Sequence, residues 1–64
     1  MGNLSKIALD AMSGDLGAEV VVRAAFASLQ KYHHIELLLV GDSVVLTDLV
    51  KRIIGDDPRL RIVH

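Results

Sequence analysis

The sequence predicts an α/β protein, and three observations support this class. Short apolar runs stop at aspartate or glycine, and stretches with helical periodicity separate them. Hydrophobic residues make up 52% of the chain, yet Phe26 and Tyr32 are its only aromatic residues. Such an aliphatic composition is typical of parallel strands that are covered on both faces.

Three segments are predicted strands. The first is short and mostly apolar, SKIALDA at residues 5–11. The second, IELLLV at residues 35–40, is a nearly continuous apolar run that resembles a strand buried on both faces. The third begins at Leu60 and runs to Val63.

Two helices are predicted between the strands. From Ala18 onward, apolar residues recur at helical spacing as Val22, Phe26 and Leu29. The second helix is expected over residues 44–54, where a similar apolar stripe faces one side. Each helix is therefore expected to bury one stripe against the strands.

The predicted order β-α-β-α-β implies parallel strands joined by right-handed crossovers. If the strands follow one another in a single direction across the sheet, both crossovers place their helices on the same face. The other face would then expose aliphatic side chains, which is unfavourable for an isolated monomer. Residues 1–64 are therefore interpreted as a single amino-terminal segment of a larger α/β domain. Further chain would then cover the second face of the sheet, although another copy of the chain could also do so.

Composition limits the function classes. Seven basic and eight acidic side chains are interspersed, so no basic patch predicts binding to nucleic acid. No apolar stretch approaches the ~20 residues of a membrane span, and no signal peptide is predicted. The chain has no cysteine, which excludes disulfides and fits a reducing compartment. A cytoplasmic location is the simplest expectation.

The loop after the first strand is the main candidate site. Ligands of open parallel sheets bind beyond the carboxyl ends of the strands, and this loop contains Asp10, Ser13, Gly14 and Asp15. Backbone amides and the Ser13 hydroxyl could hold an anion, with the two aspartates orienting cationic groups from elsewhere. In the alternative interpretation, the aspartates and glycines only form a turn. The spacing of the residues does not decide between the two.

The second strand ends at Gly41 and Asp42, which form the second candidate site. Asp42 or the following Ser43 is also well placed to cap the second helix, and this role is favoured over ligand binding. At the other end of that helix, Gly55 is predicted to be a left-handed cap.

The three histidines give no metal site by pattern. His33 and His34 are adjacent at the end of the first helix, and neighbouring positions do not face one ligand from a regular helix. His64, at the last position, adds little to the sequence argument. No metal site is predicted.

The motifs resemble one known family. The segment IALDAMSGDLGAEVVVRAA, followed by LLLVGD and RIVH, is similar to the amino terminus of the bacterial phosphate acyltransferase of phospholipid synthesis, the PlsX family. Asp10, Met12, Gly14 and Asp15 match its D-x-M-G-G-D loop, and Gly41-Asp42 matches its second strand end. One departure is Ser13, where the family typically has the first of two paired glycines.

This resemblance implies that the complete fold is a three-layer α/β/α, Rossmann-like parallel sheet. It also implies a cytoplasmic, homodimeric enzyme that transfers a fatty acyl group from acyl carrier protein to inorganic phosphate. The acyl phosphate would then feed a membrane-bound glycerol-3-phosphate acyltransferase. The resemblance implies no metal or organic cofactor and assigns no catalytic residue within these positions. The competing hypothesis is a non-catalytic fragment or interaction module that associates with itself through the bare sheet face.

Overall fold

The computed structural model describes residues 5–12 and 17–64, and these residues form the predicted β-α-β-α-β order. The elements are β1 (Ser5–Asp10), α1 (Gly17–Lys31), β2 (Ile35–Val40), α2 (Ser43–Ile53) and β3 (Leu60–Val63). The α/β class is confirmed, and the predicted boundaries agree within one residue, except that His33 and His34, expected at the end of the first helix, lie beyond α1.

The strands form one parallel sheet in the order β1-β2-β3. Its register pairs Ile7 with Leu37 and Leu39 with Ile62. Paired residues of neighbouring strands share a face of the sheet, and alternate residues face opposite sides. The central strand β2 therefore presents Leu37 and Leu39 to one face and Leu38 to the other.

Both helices pack on the face of Leu37 and Leu39. Among residues 5–12 and 17–64, nine hydrophobic residues are buried, and they come from both helices, from β2 and from the residue after β1. They are Ala11, Val22, Ala25, Leu29, Ile35, Leu37, Leu39, Leu46 and Leu49. The helices also contact each other. This one-sided core is the arrangement expected from right-handed crossovers in a sheet of this order.

The opposite face of the sheet is not covered by either helix. Leu38 is half-buried there, and Val40 and Val63 are 37% and 43% exposed. The prediction of an uncovered aliphatic face is confirmed for the described part of the chain. Within that part, β2 is covered on one face and not on both.

Arg59 connects the end of α1 to the segment that precedes β3. Its guanidinium donates hydrogen bonds to the carbonyl oxygens of Leu29 (3.0 Å) and Tyr32 (2.9 Å). It also pairs with the Asp57 carboxylate at 3.1 Å. The side-chain and backbone hydrogen bonds from Arg59 hold the pKa of Asp57 below its ordinary value. Arg59 thus satisfies carbonyl groups that the end of a helix leaves without intrahelical partners.

Gly41 permits a close contact between the two loops at the carboxyl edge of the sheet. A Cβ added at Gly41 would lie 2.5 Å from Met12 Cγ and 2.9 Å from Met12 Cε. The buried Leu46 side chain lies behind it, 3.4 Å from the same point. Any side chain at position 41 would therefore displace Met12 from the end of β2.

The structure confirms the predicted cap at the end of α2. Gly55 has φ +89° after α2, as expected of a left-handed cap, and its N–H donates to the carbonyl of Val50. Within residues 5–12 and 17–64, neither helix is both long and apolar enough to cross a bilayer.

We expect Asp57→Asn to lower the free energy of unfolding by about 1 kcal/mol at neutral pH, because it removes a charge-assisted hydrogen bond. The pKa of Asp57 is lowered in the folded chain from 3.8. Its stabilisation is therefore complete above that ordinary value and is lost as the pH falls through the lowered one. Urea unfolding at several pH values should show the difference between parent and variant shrinking in acid. Asp56→Asn is the control, and an equal effect there would contradict the role of Asp57.

We expect Gly41→Ala to destabilise the fold by about 1–3 kcal/mol, since the added methyl overpacks the Met12 contact. Adding Met12→Ala should relieve that clash, so the double variant should be more stable than the sum of the two single effects predicts. Thermal or urea unfolding of the four proteins gives the coupling energy. Strictly additive effects would show that the two residues are independent.

Candidate functional site

The candidate site lies at the carboxyl edge of the sheet. Because the strands are parallel, the residues that follow each of them meet at one edge. Asp10, the last residue of β1, lies there with Ala11 and Met12, and so do Gly41 and Asp42 after β2 and His64 after β3. The structure therefore brings Asp10 to the same edge as Gly41 and Asp42, as the sequence predicted.

Asp10 forms the turn that ends β1. Its Oδ1 accepts a hydrogen bond from the backbone N–H of Met12 at 3.0 Å. The intervening Ala11 is buried, and its N–H donates to the carbonyl oxygen of Val40 at 2.9 Å. Such a side-chain to backbone bond two residues ahead is typical of aspartate in turns. The carboxylate of Asp10 thus has a structural role, and its predicted contact with substrate stays a prediction.

Ser13, Gly14 and Asp15, the other predicted residues of the first loop, lie outside the described residues. The described chain resumes at Gly17, the first residue of α1. Their predicted roles as anion donors and as an orienting carboxylate therefore remain predictions.

Asp42 caps the amino terminus of α2. Its Oδ1 accepts hydrogen bonds from the backbone N–H groups of Val44 (2.9 Å) and Val45 (3.4 Å). The side chain thereby satisfies two of the amides that a helix leaves unpaired at its start. The capping role that the sequence favoured is confirmed, and a contact of Asp42 with substrate stays a prediction.

His64 is the residue at this edge that sequence reasoning missed. Its Nδ1 accepts a hydrogen bond from the backbone N–H of Ser43 at 3.2 Å. The neighbouring Val63 carbonyl accepts from the N–H of Gly41 at 3.0 Å. The sequence signal was available in hindsight, because His64 directly follows a predicted strand, as Gly41 does.

The first amides of α2 are all used within the chain. Ser43 donates to His64, and Val44 and Val45 donate to Asp42. A helix amino terminus can bind an anion only through N–H groups that are available to it. An anion at this edge would thus have to displace Asp42 or His64 from the start of α2, or bind to other donors.

Two other kinds of site come into question, a surface depression and a metal-binding cluster. A shallow depression on the outer side of α2 is lined by Ser43, Val44, Thr47, Asp48 and Lys51, which all belong to that one helix. Among residues 5–12 and 17–64, no group of three or more histidine, aspartate or glutamate side chains could bind a metal ion. The carboxyl edge therefore remains the best candidate.

Comparison with known proteins adds the family. The family model described as "Fatty acid synthesis protein" matches residues 5–64. A phosphate acyltransferase of Methylococcus capsulatus is 48% identical over 64 residues, which cover 95% of this chain and 18% of that protein. One of Rhodopseudomonas palustris is 46% identical over 98% of this chain and 17% of that protein. One of Vibrio cholerae is 42% identical over 100% of this chain and 19% of that protein.

The chain spans less than a fifth of the length of these relatives. No solved structure matches it significantly. The family match covers nearly every residue of the chain, and the relatives carry the name of the enzyme that its motifs resemble. The chain therefore belongs to the fatty acid synthesis protein family.

Proposed function

We propose that this chain acts as the amino-terminal part of a phosphate acyltransferase. The observation that carries the proposal is the match of residues 5–64 to the family, together with the name of relatives that are 42–48% identical. In the proposed reaction, an oxygen of inorganic phosphate attacks the thioester carbonyl of an acyl group on acyl carrier protein. The carbon–sulfur bond then breaks, the thiolate takes up a proton, and acyl phosphate leaves.

Such a reaction needs a site that binds a phosphate dianion and stabilises the oxyanion of the tetrahedral intermediate. We assign the carboxyl edge of the sheet as one wall of that site, because Asp10, Gly41 and Asp42 meet there. Backbone donors around Ser13 and Gly14 would face phosphate, and Asp10 and Asp15 would orient basic groups from outside these residues. We further propose that the whole enzyme is a cytoplasmic homodimer. Its product, acyl phosphate, would be the substrate of a membrane glycerol-3-phosphate acyltransferase.

The proposed reaction can be tested by placing this chain in a full-length phosphate acyltransferase. We define the chimera as the Vibrio cholerae phosphate acyltransferase in which residues 1–64 of this chain replace the matching segment; that match covers the whole of this chain. Its activity is the phosphate-dependent release of the carrier-protein thiol, with acyl phosphate as product. A folded chimera that makes no acyl phosphate would contradict the proposed function.

In the chimera, we expect Asp10→Asn to lower kcat by about 100-fold, because misplacing a basic group that Asp10 orients can slow a reaction by that much. Asparagine keeps an oxygen that can accept from the Met12 N–H, so stability should change little. Kinetics and thermal unfolding of parent and variant separate the two effects. Asp56→Asn, an equivalent change in the loop between α2 and β3, is the matched control. Wild-type turnover in Asp10→Asn would remove this residue from the site.

A second candidate function is self-association without catalysis. The uncovered face of the sheet favours it, because Leu38, Val40 and Val63 are only partly buried on that side. We expect the isolated 64-residue chain to be inactive, since it supplies one wall of the proposed site. Analytical ultracentrifugation of the chain, combined with the acyl phosphate assay, separates the candidates. Turnover by the isolated chain would contradict our expectation.

A further inference from the structure

His64 occupies a place at the carboxyl edge that the proposed function has not yet used. It follows β3 directly, and the hydrogen bond between Gly41 N–H and Val63 O (3.0 Å) joins its backbone to the turn after β2. The side chain is exposed, and its ring is fixed by the hydrogen bond from the Ser43 N–H to Nδ1. The imidazole is therefore held at the edge where the loops after the strands meet.

The bond from Ser43 also determines the tautomer of His64. A backbone N–H can only donate, so Nδ1 must be the unprotonated nitrogen. The neutral ring then carries its proton on Nε2. Among residues 5–12 and 17–64, Nε2 has no hydrogen-bond partner. Ser43 thus leaves His64 with one N–H donor directed away from α2.

The other polar side chains described at this edge accept hydrogen bonds, whereas the Nε2–H of His64 donates. The described side chains that follow the strands include two carboxylates, Asp10 and Asp42, which only accept hydrogen bonds when ionised. The first amides of α2 already donate to Asp42 and to His64. His64 is the one side chain in this described set with a nitrogen donor.

We propose that the Nε2–H of His64 donates a hydrogen bond to the phosphate that the enzyme acylates. The Ser43 N–H acts as the positioning group, because it fixes both the orientation of the ring and the nitrogen that carries the proton. The identity of the ligand rests on the proposed function. The availability of the donor rests on the hydrogen bond from Ser43 to Nδ1 and on Nε2 having no partner among residues 5–12 and 17–64.

Two substitutions of His64 in the chimera separate donation to phosphate from capping of α2. In His64→Asn, the side-chain oxygen can replace Nδ1 as acceptor for Ser43, but the distal donor is lost. In His64→Gln, the longer amide can return an N–H donor near the position of Nε2. His33→Asn is the matched control, since His33 is an exposed histidine between α1 and β2, at the opposite edge.

We expect His64→Asn to raise the KM for phosphate about tenfold with kcat within about twofold, as for one lost hydrogen bond to a charged ligand. His64→Gln should recover most of that loss, and His33→Asn should match the parent. A KM for phosphate in His64→Asn equal to that of the parent would overturn the proposal. So would equal losses in the Asn and Gln variants, because a donor would then not be the property that matters.

A second measurement does not depend on turnover. Phosphate that binds the folded chimera raises its Tm, and chloride at equal ionic strength is the reference. We expect this shift to be smaller in His64→Asn than in the parent or in His33→Asn. If the chimera makes no acyl phosphate but keeps a shift that depends on His64, the proposed reaction fails and the phosphate contact stands. If phosphate gives parent and His64→Asn the same shift, the contact fails.

Discussion

The structure depends on the burial of one face of the central strand β2. Ile35, Leu37 and Leu39 are all at most 8% exposed, and both helices pack over them. Burying such side chains stabilises a fold by about 1.5–3 kcal/mol each, before the cost in conformational entropy. Because the strands are in the order β1-β2-β3, the right-handed crossovers bring α1 and α2 to the same side of the sheet. One constraint thus creates the core and also leaves the second face uncovered by the helices.

The same parallel arrangement places the candidate site. The loops at the carboxyl edge are joined to neighbouring strands by backbone hydrogen bonds, from Ala11 to Val40 and from Gly41 to Val63. The Met12 side chain then packs against Gly41. The edge is therefore positioned by the hydrogen bonds of the sheet and by a steric contact. No attraction between its side chains is needed to bring the loops together. An edge held by such contacts suits preorganised binding, in which groups are in place before the ligand arrives.

Local patterns in the sequence predicted most of this structure, and long-range contacts account for what they missed. Helical periodicity identified Val22 and Leu29 as core positions because they lie on one stripe of a single helix. The caps Asp42 and Gly55 were predictable because capping joins residues only a few positions apart. Arg59 bonds to carbonyls 27 and 30 residues away, and Ser43 to His64 across 21 residues. No periodicity encodes such separations, so these contacts appear only once the helices and strands are packed. The positions of Ser13, Gly14 and Asp15 fall outside the described residues.

The packed edge also changes the meaning of its negative charges. Carboxylates such as those of Asp10 and Asp42 repel anions, so they are not by themselves the groups expected at a site for phosphate. In the structure both accept hydrogen bonds from backbone N–H groups, Asp10 from Met12 and Asp42 from Val44 and Val45. Each carboxylate thereby ends a strand or begins a helix, and its presence at the edge is explained without any ligand. The choice of aspartate at these positions then says little about the sign of the substrate. Whether the edge binds an anion depends on the hydrogen-bond donors that remain available there. The Nε2–H that we assign to His64 is one such donor.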